Sequence, residues 1–175
     1  MKNSVLEIDN FLIKKFGIKF WHLITKRCLN DNQVEFIINL SNRKNLKSIL
    51  EIGTYKGYSL ALFCSLWPKS NVYSIDIERH KEAEAISSFY KNSKLLIGTS
   101  LLVQELNTFF DFILIDGNHS YNQVNADWNN IKDFIIPNDT IIMFDDLNTG
   151  AGRAFNNIKI NGSKEKFGKF GIFKL

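Results

Sequence analysis

The chain has 175 residues, 45% of them hydrophobic with 15 Phe, which suffices for one domain with a core and argues against a disordered or multidomain reading. Its net charge of +4 is spread along the chain, with no run of five basic residues and no repeated basic-aromatic interleaving, so a nucleic-acid substrate is disfavoured. The N-terminal region has no basic-then-apolar leader, and no stretch of 18 apolar residues occurs anywhere, so no membrane association and a soluble, cytoplasmic protein are expected.

Residues 1–46 read as a helical extension, with helical spacing of Val5, Ile8, Phe11 and Leu12 and again of Val34, Phe36, Ile37 and Leu40. These helices are expected to pack against a sheet edge. The aromatic group Phe16, Phe20 and Trp21 is read as core packing, with a lid over an acceptor site as the alternative. Cys28 and Cys64 sit in apolar, helix-like settings without metal-ligand spacing and are expected to be buried thiols.

The stretch Ile49-Leu50-Glu51-Ile52-Gly53-Thr54-Tyr55-Lys56-Gly57-Tyr58-Ser59 carries the most information. A short apolar run ends in an acid and a glycine, and a second glycine precedes a new apolar series, which predicts a strand, a tight turn and a helix start. Glycine lets the backbone approach a ligand closely, and the helix start presents free N–H groups. Glu51 makes a pyrophosphate unfavourable beside this turn and a cationic or hydroxyl-rich ligand favourable.

Further strands are predicted near Val72, Leu95, Phe112 and Thr140, and helices over 57–66, 80–91, 99–107, 121–135 and 150–158, the fourth stopped by Pro137. The runs 72–77, 112–115 and 140–144 are continuous rather than alternating, as in strands covered on both faces. An α/β domain over 47–175 with a doubly wound, mostly parallel sheet follows. Residues 170–175 read as a last strand, with Lys166-Phe167 as a short neighbour. That strand is expected to be antiparallel, because a parallel return needs a longer crossover.

Ligands of such a sheet bind at the carboxyl ends of the strands. The second strand ends in Asp76, 23 residues after Gly53, a spacing at which an acid accepts ribose hydroxyls. Gly98-Thr99-Ser100 follows the third strand. After the fourth comes Asp116-Gly117-Asn118-His119-Ser120-Tyr121, and after the fifth Asp145-Asp146. Like charges converging at neighbouring strand ends are unfavourable unless a proton or a cation resolves them. Oxygen ligands without cysteine suit a hard ion such as Mg²⁺.

The glycine turn resembles motif I of the class I S-adenosylmethionine (SAM) dependent methyltransferases. The segment at Asp116 with the Asp145-Asp146 pair resembles the metal-dependent macrolide sugar and catechol O-methyltransferases and the methyltransferase group of family 24. The resemblance spans roughly residues 47–160. It implies a Rossmann-like methyltransferase fold of seven strands. It also implies that Glu51, Gly53 and Gly57, with Thr54, Tyr55 and Ser59 in the same turn, line the methionine and ribose of SAM. Asp76 would take the ribose, Thr99 and Ser100 the adenine, and Asp116 would border both cofactor and metal. By the same resemblance Asp116, Asp145 and Asp146 hold Mg²⁺ and His119 is the base. The expected activity is Mg²⁺-assisted methyl transfer to a hydroxyl of a small molecule, a sugar or secondary metabolite. The alternatives are a catalytically inactive SAM-binding domain and a nucleic-acid or protein methyltransferase. The acceptor pocket lacks long insertions, so it is expected to be open or completed by a second copy in a homo-oligomer.

Overall fold

The computed structural model describes residues 5–17 and 29–175. Phe20, Trp21, His22 and Cys28 lie outside the described residues. Seven strands form one sheet: β1 (Ser48–Ile52), β2 (Asn71–Asp76), β3 (Ser93–Ile97), β4 (Phe112–Ile115), β5 (Ile141–Phe144), β6 (Ser163–Phe167) and β7 (Phe170–Lys174). Their order is β3-β2-β1-β4-β5-β7-β6. Strands β1 to β5 pair in parallel and β7 runs antiparallel to both neighbours. The doubly wound, mostly parallel sheet with an antiparallel C-terminal strand is therefore the fold of this chain.

Helices α1 (Val5–Phe16), α2 (Asp31–Ser41), α3 (Tyr58–Leu66), α4 (Lys81–Phe89), α5 (Tyr121–Ile131) and α6 (Gly150–Asn157) cover the sheet. Successive side chains of a strand point to opposite faces, and the two core layers follow that alternation. Ile49, Phe112, Leu114 and Met143 pack on the face covered by α1 to α3, with Leu12, Val34, Ile37, Leu60 and Phe63. Leu50, Ile52, Ile113, Ile115, Ile142 and Phe144 pack on the other face, against Val124, Ile131, Ala154 and Phe155 of α5 and α6.

Some expectations shift. The segment after β3, predicted as a helix over 99–107, is a 3₁₀ helix over Ser100–Glu105. It begins at the cavity described below, and the hydroxyl of Ser100 is drawn away to α5 rather than used locally. The long helix predicted over 121–135 ends at Ile131 and continues as a 3₁₀ turn over Lys132–Phe134. β3 starts at Ser93, two residues before the predicted Leu95, and β6 is a full five-residue strand. Phe11 is exposed, whereas Ile38 and Gln33 of α2 are buried. Phe16 packs on the ring of Phe89 at 5.0 Å, and Cys64 is buried in the core.

Candidate active site

β1 is flanked by β2 on one side and β4 on the other, so the strand order reverses there and a crevice opens at the carboxyl ends. A cavity of about 480 Å³ occupies it, within the roughly 300–1,000 Å³ of small-molecule pockets. Gly53, Tyr55, Asp76, Thr99, Ser100 and Asp116 line it, so six of the residues singled out from the sequence meet at one place. Among the other lining residues are Asn118, Gln123 and Asp127, which sequence reasoning missed.

Gly53 adopts φ 97°. A Cβ there would lie 2.2 Å from the Asp116 carbonyl oxygen, so this glycine is needed where the loops after β1 and β4 cross. Gly57 lines no part of the cavity. A Cβ on it would stand 3.0 Å from Ile86 Cδ1 and 3.1 Å from Ala83 Cα, so its place is filled by α4 and not by a ligand. The second glycine of the motif lets α4 pack closely against the turn.

Both oxygens of the Asp76 carboxylate are engaged. Tyr55 N donates to Oδ2 at 2.6 Å and Glu78 N donates to Oδ1 at 2.9 Å, tying the β1 turn to the end of β2. Each oxygen keeps further acceptor capacity toward the cavity. Thr99 occupies the N-cap position of the 3₁₀ helix without a side-chain cap bond. Ser100 Oγ donates to Asp127 Oδ1 at 2.6 Å and accepts from Asn130 Nδ2 at 2.8 Å. Gln123 Nε2 also donates to Asp127 Oδ1, at 3.0 Å. Asp127 is buried, and burial raises its pKa against the pull of Ser100 and Gln123. The signal for it is a charged residue at helical spacing between Val124 and Ile131, on the buried stripe of α5.

Glu51, Thr54 and Ser59 do not line the cavity and lie behind it. All three are fully buried. Glu51 is two residues beyond Ile49 and so faces the α3 side of the sheet, while Ile52 faces the cavity. Its Oε2 accepts a hydrogen bond from Ser74 Oγ, which lies 2.5 Å from Thr54 Oγ1. Burial pushes the Glu51 carboxyl up to about 7, against the pull of the neighbouring Ser59 and Ser74 hydroxyls, and Asp76 adds to the rise. Glu51 is thus a buried carboxyl behind the turn.

The ladder continues one residue past β4 and β5, through Asp116 N to Ile52 O at 2.8 Å and Asp145 N to Ile115 O at 3.1 Å. Alternation then brings Glu51, Asp116 and Asp145 to the same face, at the ends of three adjacent strands. Asp116 and Asp145 offer ligand atoms within 4.8 Å of each other and of His119. The Asp116 side chain is only 3% exposed and its Oδ2 is buried with no partner. Burial, then the charge of Asp145, hold its carboxyl well above the usual range, with Glu51 and Asp146 adding to the rise.

Asp146 stands outside this group. It adopts φ 49°, and its Oδ2 lies 3.2 Å from His119 Nδ1, on the opposite side of the ring from Asp116, whose Oδ1 is 3.5 Å from Nε2. Asp116, Asp145 and His119 thus bring their ligand atoms together, and the left-handed backbone at Asp146 sets its carboxylate on the far side of the His119 ring. The 3.2 Å contact is not aligned as a hydrogen bond, and Nδ1 is left without one. A fourth group completes the centre: Gln33 Nε2, from α2, donates to Asp145 Oδ1 at 2.5 Å. Thr149 Oγ1 donates to the carbonyls of His119 and Asp146 at 3.2 and 2.7 Å, holding the two loops together.

A hard divalent cation fits the carboxylates of this centre, buried, of like charge and with one oxygen orphaned, and the imidazole stands beside them. A nucleoside-bearing cofactor fits the cavity, with hydroxyl acceptors at Asp76 and polar groups at the Ser100 end.

The family profile of a methyltransferase domain, family 24, matches residues 50–147. No curated protein matches the chain. Among solved structures, MycE methyltransferase from the mycinamycin biosynthetic pathway, in complex with Mg and SAH, is similar with a TM-score of 0.70 at 13% identity. The match covers 99% of this chain and 54% of MycE, so the chain spans about half the length of that relative. A putative caffeoyl-CoA O-methyltransferase from Staphylococcus aureus has a TM-score of 0.72 at 18% identity, over 98% of this chain and 93% of that one. The O-methyltransferase TomG from Streptomyces achromogenes, involved in tomaymycin synthesis and bound to SAM, has a TM-score of 0.61 at 16% identity, over 91% and 72%.

Proposed function

The chain belongs to the family-24 methyltransferase domains, and from that premise we propose that it is a SAM-dependent, Mg²⁺-assisted O-methyltransferase of a small hydroxylated molecule. The observation that carries this reading is the meeting of Asp116, Asp145 and His119 beside the cavity at the strand switch point. The secondary-metabolite class of the acceptor is supported by the mycinamycin pathway of MycE and the tomaymycin synthesis of TomG.

When bound, SAM supplies a methyl group on a sulfonium, and Mg²⁺ lowers the pKa of an acceptor hydroxyl and fixes its direction. The chain's own residues do the rest. Asp76 receives the ribose hydroxyls while keeping the Tyr55 turn in place. Ser100, held by Asp127 and Asn130, closes the adenine end. Asp116 and Asp145 hold the cation. His119, at the rim with a side chain 26% exposed, takes the acceptor proton, and Asp146 beside Nδ1 stabilises the imidazolium that results. The loop Asp116-Gly117-Asn118-His119 stands where an Asn/Asp-Pro-Pro-Tyr/Phe acceptor motif would be expected in a nucleic-acid or protein methyltransferase, which favours an oxygen acceptor.

Calorimetric titration of SAM, with and without Mg²⁺, into the protein and its Asp145→Ala variant tests the reading. Micromolar SAM binding with a Mg²⁺ signal lost in the variant is expected. Absence of SAM binding would overturn the methyltransferase activity, and SAM binding with no Mg²⁺ signal would overturn the cation site alone.

A further inference from the structure

Gln33 lies outside the segment matched by the methyltransferase profile and outside every motif in the sequence, yet its side chain ends at the acidic centre. It is 1% exposed, 112 residues from Asp145 in the chain, and its amide is held at both ends. Oε1 accepts the Asn30 backbone N–H at 2.8 Å, and Asn30 Oδ1 accepts the Gln33 backbone N–H at 3.2 Å, a reciprocal capping box at the start of α2. With its oxygen committed to Asn30, the amide can present only its NH₂ group to Asp145. A carboxylate beside a second carboxylate is thereby given a neutral donor from a fixed direction.

We propose that Gln33 is a positioning residue for the cation site: it fixes Asp145 Oδ1 so that the other oxygen of that carboxylate is turned toward Asp116. This rests on the reading of the acidic centre as a divalent cation site. The consequence reaches beyond the site, because the donor comes from α2. The Gln33 bond is stronger when Asp145 is held in one rotamer, so cation binding and the folding of the first turn of α2 support each other. Partners that orient metal ligands are worth about 10–100-fold in affinity. Gln33 extends that role to a helix N-terminal to the matched domain.

The test compares the protein with Gln33→Met, which keeps length and helix propensity and removes both the donor to Asp145 and the Oε1 acceptor of the capping box. Mn²⁺ affinity is read by electron paramagnetic resonance and SAM affinity by calorimetry in the absence of cation. Mn²⁺ binding at least about 10-fold weaker, with SAM affinity within about twofold, is expected. Equal Mn²⁺ affinity in the two proteins would overturn the role of Gln33 and leave the cation site standing. Absence of Mn²⁺ binding to the unaltered protein would overturn the site and this inference together. If Gln33→Met does not fold, hydrogen exchange of the unaltered protein decides. Mg²⁺ is expected to slow exchange in the first turns of α2, and no change there, with slowing elsewhere at the site, would overturn the proposal.

Discussion

Gly53 and Asp116 approach so closely that a Cβ on residue 53 would sit 2.2 Å from the Asp116 carbonyl oxygen. The contact binds the cofactor turn to the loop carrying the acidic centre. Gly53→Ala meets backbone that cannot yield, at φ 97°, and is expected to destabilise the fold by about 2–4 kcal/mol. Gly168→Ala, also at positive φ but with nothing within 4 Å, is expected to cost only about 1 kcal/mol. Denaturant unfolding of the two variants measures the difference; equal losses would remove the loop crossing as the reason for Gly53.

Asp76 couples the same turn to the cavity through Tyr55 N and Glu78 N. Asp76→Asn keeps the shape but leaves one acceptor for two backbone donors. SAM affinity is expected to fall at least about 10-fold, and stability by roughly 1 kcal/mol, the value of one lost hydrogen bond. Calorimetry with SAM and a parallel unfolding curve check the two effects separately.

Glu51 gives a pH dependence of stability. Its carboxyl rises from 4.5 in the unfolded chain to about 7 in the fold, so the folded state holds the proton more tightly. The stability it contributes is complete below pH 4.5 and is lost as pH rises through about 7. The full loss is on the order of 3 kcal/mol. Glu51→Gln removes this titration, so the variant is expected to gain on the parent between pH 5 and 8. Unfolding midpoints of both proteins across that range are the measurement, and parallel curves would contradict the assignment.

His119 separates proton transfer from cation holding. His119→Ala is expected to lower the methyl-transfer rate by about 10²–10⁴ while leaving Mn²⁺ and SAM affinity within a few fold. The rate is read with an acceptor found by screening hydroxylated compounds, and the affinities by titration. A matching loss of Mn²⁺ affinity would make the imidazole a ligand, as its place within 4.8 Å of Asp116 and Asp145 allows geometrically.

The β-α rhythm, the glycine turn, the antiparallel ending and the acids at the strand ends can all be read from the order of residues alone. Each is a local matter: apolar periodicity, a turn that only glycine permits, a crossover too short for a parallel return. The places of Gly53, Asp76, Asp116 and Asp145 at the strand ends were legible because each strand stops where its apolar run stops, whereas His119 was singled out by the family resemblance. What those residues face was decided by the tertiary structure. Alternation in the sheet turned Glu51 to the buried side, the left-handed backbone at Asp146 set its side chain beside His119 Nδ1, and α4 packed beside Gly57. Gln33 and Asp127 look in sequence like polar residues on surface helices. They reach the site because sheet order sets β5 beside β4 and lays α2 and α5 across opposite faces, and contacts between residues so far apart in the chain leave no periodic trace in it.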